Sequence, residues 1–129
     1  MAPVLLAQGP ATCLIVNKTN PVTSLSKAQA RKLLTGAQTT WPGGERVVLL
    51  MPALGDPTRA QALKKCCSMT EQQYAGDLLH ANFLGEERVE PKTLPSAKAI
   101  VDAVQVLRGA IAVVGCGQVT DQVRMVSFE

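Results

Sequence analysis

The stretch "AIVDAVQVLRGAIAVVG" at 99–115 constrains the fold more than any other part of the chain. Ser96, just after Pro95, reads as a helix N-cap. Ile100, Val101, Val104 and Leu107 recur at the spacing of one helical face, and Gly109 supplies the stop. A nearly continuous apolar run follows at 110–115, without the polar alternation of a half-exposed strand. Such a strand is expected where helices cover both faces of a sheet.

Three more helices are marked by their ends. Ser26 and Gln29 form a capping box ahead of "KAQARKLL", whose Ala30, Leu33 and Leu34 share a face and which Gly36 closes. Asp56 is an N-cap with Pro57 at the first helical position, and "TRAQALKKCC" then predicts a face of Ala60, Leu63 and Cys67. Thr70 and Gln73 repeat the capping box before "EQQYAGDLLHANF", which ends at Gly85. β-branched runs at 12–16, 46–51 and 123–128 join the one at 110–115 as strands. The order β-α-β-α-α-α-β-β predicts an α/β domain, a mixed or largely parallel sheet flanked by helices.

Composition sets the scale and removes several function classes. With 129 residues, 47% hydrophobic and 18% charged, the chain can bury one core, so a single domain is expected. Only 3% of residues are aromatic and the net charge of +3 is scattered, which argues against a nucleic-acid surface. No apolar stretch approaches the roughly 18 residues that cross a bilayer, so no membrane span is expected. Residues 1–11 are set apart as an N-terminal segment, the remnant of an export signal or a start made without one, and residues 12–129 form the domain.

Catalytic machinery is thin, and no enzyme, cofactor or metal site is expected. Cys13, Cys66, Cys67 and Cys116 fit no zinc spacing; they read as buried small side chains, with disulfides open to an oxidising compartment. The single histidine, His80, reads as a surface or boundary residue, with Asp77 one turn earlier as its natural partner. "GCG" at 115–117 lacks the rest of a dinucleotide fingerprint, and Glu86 and Glu87 read as solvated charge. What remains is binding at helix starts. The loops "NPVTSLS" and "ALGDPT" each lead from a strand to a helix N-terminus, where free N–H groups suit an anion. The candidate oxyanion site is therefore Ser24 and Ser26 on one loop with Gly55, Asp56 and Thr58 on the other, although the Asp56 carboxylate occupies the place an anion would take.

The order of anchors adds a resemblance. "LIVNKTNPVTSLSKAQARKLLTGAQTTWPGGERV" resembles the N-x-x-N-P-x-x-x-L-S … G-x-x-x-x-W-x-x-G segment of phosphate-type solute-binding proteins of ABC transporters, especially their short single-lobe relatives. Asn17, Asn20, Pro21, Leu25, Ser26, Gly36, Trp41 and Gly44 are in place. The likeness continues through "PTRAQAL", Phe83 and Gly85, Pro91 and "RGAIAVV". It implies a periplasmic-binding-protein-like (type II) lobe, a periplasmic or secreted location, and phosphate or a similar oxyanion as ligand. Met51 stands where phosphate-holding members carry an arginine, and their serine-glycine-threonine run is absent. Arg59 matches an arginine inside the helix of short members, expected to pack or to form an ion pair. The alternative role is a degenerate lobe that meets an envelope protein partner, with an apolar patch over the former cleft. Trp41 is read as an anchor that packs the turn after the first helix against the domain.

Overall fold

The computed structural model describes residues 12–128; the N-terminal segment assigned from sequence lies outside them. In chain order the elements are β1 (Thr12–Asn17), β2 (Ser24–Leu25), α1 (Lys27–Leu34), β3 (Val48–Pro52), α2 (Pro57–Ala62), α3 (Glu71–Phe83), β4 (Lys92–Leu94), α4 (Ala97–Val106), β5 (Ala110–Gly115) and β6 (Val123–Phe128). α2 runs on into a π-helical turn, Leu63–Cys67, and a 3-10 turn follows β5 at Cys116–Gln118.

The strands form one mixed sheet in the order β2-β6-β1-β5-β3-β4. β1 is antiparallel to both its neighbours, pairing Ile15 with Ala112 on one side and with Met125 on the other. β2 is parallel to β6, and β3 is parallel to both β5 and β4. Every strand except β1 therefore points the same way, and the starts of α1, α2 and α4 all follow strand C-termini at one end of the sheet. That end is where open α/β sheets place ligands.

Helices cover both faces, as the unbroken apolar run of β5 requires. Leu14, Val16, Ile111, Val113, Leu49 and Met51 pack against α1, the α2 segment and Tyr74 of α3. The alternate residues Ile15, Ala110, Ala112, Val114 and Leu50 pack against Ile100, Val101 and Val104 of α4. The period of two along each strand splits its side chains between these two cores.

Several details depart from the sequence reading. The third strand begins at Val48, because 40–46 closes a separate turn bridged between Thr40 and Arg46. β2 and β4, two and three residues long, are too short to leave a periodic signal. The inward face of the second helical segment is Arg59, Ala62, Leu63 and Cys66, one residue round from the face expected, so Ala60 is exposed; Cys67 is buried as well. Cys13 and Cys116 form a disulfide rather than lying as separate buried thiols, with Cα atoms 5.0 Å apart; Cys66 and Cys67 are free and buried.

The family-like anchors hold the scaffold. Buried Asn17 donates Nδ2–H to the carbonyls of Val104 (2.8 Å) and Gln105 (3.2 Å), while its Oδ1 accepts from the amide and hydroxyl of Thr19. One side chain thus closes α4 and shapes the turn after β1. Trp41 is buried and donates Nε1–H to the carbonyl of Gly109 (2.9 Å), which fixes the turn before β3 to the start of β5. At Gly109 any Cβ would collide with the carbonyl oxygen of Arg46, so only glycine lets these two segments approach.

Candidate functional site

The capping residues chosen from sequence all act as caps. Ser26 Oγ accepts from the Gln29 amide (3.1 Å) and Gln29 Oε1 accepts from the Ser26 amide (2.8 Å), completing the capping box. Asp56 Oδ1 accepts from the Thr58 amide (2.9 Å), and the Asp56 carbonyl accepts from the Arg59 and Ala60 amides at 3.0 and 3.3 Å. Gly55, with φ +91°, makes the left-handed bend that brings Asp56 round to cap.

Placement divides the five residues into two groups. Ser24 and Ser26 flank the end of the edge strand β2, whereas Gly55, Asp56 and Thr58 follow β3, four strand positions away, which is about 19 Å across the sheet at normal spacing. Both groups lie at the strand C-terminal end, on the side of the larger core, where α1 and α2 pack. Among the described residues no hydrogen bond joins one loop to the other. The disulfide, at the N-terminus of β1 and the C-terminus of β5, ties the sheet together between them.

The donors left for an anion differ between the loops. At the start of α2, Pro57 has no N–H and the next three amides are all spent on Asp56. Among the described residues the Leu54 and Gly55 amides and the Thr58 hydroxyl are the donors left on this turn, beside a carboxylate. At the start of α1 the first turn carries no acidic residue, and the Lys27 and Ala28 amides have no partner among the described residues.

Arg59 supplies no charge to this surface. It is buried, with Nε donating to Glu71 Oε2 at 2.7 Å, Nη1 donating to the Pro52 carbonyl at 3.2 Å, and its guanidinium 5.8 Å from the centre of the Tyr74 ring. It thereby pins the β3 end and the starts of α2 and α3 together, the packing and ion-pairing role expected for it. Tyr74 donates in turn to the Leu34 carbonyl at 2.6 Å, and burial raises its phenol well above the ordinary range. Sequence spacing gave no signal for this cluster, because Arg59 belongs to α2 while Glu71 and Tyr74 belong to α3. His80 is not paired with Asp77, whose carboxylate receives Arg88 at 2.8 Å instead. Glu86 also meets Arg88, at 3.3 Å.

A cavity of about 480 Å³ adjoins the α1 loop. It opens under the 19–22 and 41–45 turns and is lined by Pro21, Leu33, Trp41 and Arg108 together with Ser24 and Gln29, the capping partner of Ser26. Of the five candidate residues it therefore reaches only Ser24. Among the described residues no cluster of ligating side chains could hold a metal ion.

No protein-family model and no curated protein matches the chain. Solved structures do. An ABC-type phosphate transport receptor from Vibrio cholerae matches with a TM-score of 0.72 at 17% identity, over 92% of this chain and 46% of that one. A protein from Clostridium perfringens, assigned as a phosphate ABC transporter substrate-binding protein and solved with bound phosphate, matches at 0.73 and 23% identity, over 92% and 45%. PstS from Borrelia burgdorferi matches at 0.70 and 12% identity, over 93% and 47%. The chain spans less than half the length of each. It has the fold of one lobe of a phosphate-type ABC-transporter binding protein, as the run of sequence anchors implied.

Proposed function

We propose that this chain is a non-enzymatic binding lobe of the phosphate-binding-protein type that works in the bacterial envelope and contacts phosphate or a similar oxyanion weakly. The contact surface is the strand C-terminal end of the sheet: the α1 start with Ser24 and Ser26, and the turn with Gly55, Asp56 and Thr58. The observation that carries the reading is the state of the α2 start, whose first-turn amides are consumed by Asp56. A micromolar site needs about 8 kcal/mol, whereas one helix terminus in water offers about 1–2 kcal/mol, so affinity in the millimolar range is expected.

The Cys13–Cys116 disulfide supports an oxidising compartment such as the periplasm. Among the described residues no helix is long and apolar enough to cross a membrane.

A thermal-shift series with phosphate, sulfate and chloride at constant ionic strength tests the proposal. An oxyanion at about five times its Kd stabilises by about 1 kcal/mol, a rise in Tm of about 3–5 °C for a chain of this size. No oxyanion-specific shift at tens of millimolar would sink it.

A second role, as an envelope protein-interaction module, is favoured by one specific feature. α3 exposes Leu79 (71%) and Phe83 (87%) on one face, and Leu84 (57%) follows directly. This patch is on the helix layer, not over the strand ends where the sequence reading placed it. Retention of a defined partner from an envelope extract by the wild type, and its loss in Phe83→Glu, would support that role.

A further inference from the structure

The exposed face of α3 carries a self-complementary pattern. Gly76, Leu79, His80 and Phe83 line one shallow depression along the helix. Gly76 and Phe83 are two turns apart, about 10.5 Å, with the Leu79–His80 pair midway between them. A Cβ built on Gly76 meets nothing, so the helix backbone is bare there and open to close approach. Between residues 72 and 83 the exposed side chains include no carboxylate, lysine or arginine; Asp77 is on the flank and engaged by Arg88.

We infer that α3 pairs with α3 of a second copy, antiparallel about a two-fold axis through the Leu79–His80 midpoint, with each Phe83 ring seated on the other copy's Gly76. This rests on the interaction reading above and names the partner. A two-fold contact must be self-complementary, the same patch serving both sides, and a protruding aromatic placed symmetrically about the axis from an empty notch satisfies that condition. Charge favours the same occupant. Two copies of a chain with net charge +3 repel, and a face without formal charge is the surface on which they approach at least cost. The apolar side chains that protrude are Leu79, Phe83 and the adjoining Leu84, too few to reach the roughly 1,200–2,000 Å² of a specific stable interface, so the dimer is a weak and exchanging one.

Sedimentation equilibrium of the full chain from about 5 μM to 1 mM tests this. A monomer–dimer equilibrium is expected for the wild type, and Phe83→Glu should remain monomeric throughout. Gly76→Gln fills the notch with a better helix former, so it should raise Tm while weakening association about tenfold or more, a combination that loss of folding cannot imitate. Under mild oxidation Leu79→Cys should cross-link to itself through the axis, whereas Leu54→Cys, equally exposed at 71%, should not. A wild type that stays monomeric, a Phe83→Glu that dimerises normally, or cross-linking that does not distinguish the two cysteines overturns the pairing. The broader interaction reading fails separately, if wild type and Phe83→Glu retain the same components of an envelope extract. Phe83 is twelve residues, about 18 Å along the helix, beyond Glu71, so Phe83→Glu should leave the phosphate-dependent Tm shift unchanged.

Discussion

Asn17, at the end of the central strand, donates its side-chain amide to the carbonyl of Val104 at 2.8 Å, closing a helix 87 residues further along the chain. The same side chain bonds Gln105 and both polar groups of Thr19, so its whole hydrogen-bonding capacity is spent. Asn17→Ala should cost about 2–3 kcal/mol, because it leaves the α4 carbonyls and the turn amide of Thr19 without partners in a buried setting. Urea unfolding followed by the fluorescence of Trp41 reads this directly; a change under 0.5 kcal/mol would show that water replaces the amide freely.

The Asp56 carboxylate both caps α2 and repels an incoming anion. Asp56→Asn keeps a side-chain oxygen for the Thr58 amide and removes the charge, so fold stability should change by less than about 1 kcal/mol. Phosphate affinity should rise several-fold, read from the midpoint of the thermal-shift titration. Equal or weaker affinity would place the bound anion away from this turn.

The disulfide closes a loop of 103 residues between the central strand and the segment after β5. Cys13→Ser with Cys116→Ser should therefore lower stability by up to about 4–5 kcal/mol, the chain-entropy value for a loop of that length. Melting the oxidised, reduced and double-serine proteins side by side checks this. If reduction leaves Tm in place, the reduced unfolded chain is already constrained near these residues.

Burial pushes the Cys66 thiol up to about 12 and the Cys67 thiol to about 11, from an ordinary 9.0; for Cys66 the neighbouring Cys67 adds to the rise. Both should resist alkylation at pH 8 in the native protein and react only after unfolding. The raised values also set the sign of the alkaline dependence. Above pH 9 the unfolded chain releases these protons while the folded one holds them, so stability is full below about 9 and falls as pH climbs toward 11–12. Tm values across pH 8–11 for the wild type and Cys66→Ala with Cys67→Ala should diverge at the alkaline end; parallel curves would remove the thiols as the cause.

How much of this was legible beforehand depends on how local each cause is. The capping boxes at Ser26 and Thr70, the Asp56–Pro57 start and the buried run of β5 depend on residues within a few positions of one another, and each forms as read. β2 and β4 were not legible, because two or three residues carry no period and are strands only where a neighbour supplies hydrogen-bond partners. The face of the second helix was misread at Ala60 because Arg59, a charged residue, turns inward to Glu71 and the Pro52 carbonyl, and that partnership is not local. Asp77 takes Arg88 rather than His80 because the chain after α3 folds back along it.

By itself the sequence determined the helices, the principal strands, the covered sheet and the caps at both candidate loops, since backbone preference, capping and apolar period act over short separations. Tertiary structure alone decided that the two loops share one end of the sheet four strands apart, that Cys13 reaches Cys116, and that Arg59 is committed to Glu71 and Tyr74. It also decided that Phe83 stands in solvent. Those outcomes turn on which elements become neighbours, and strand order sets that through contacts between residues far apart in the chain.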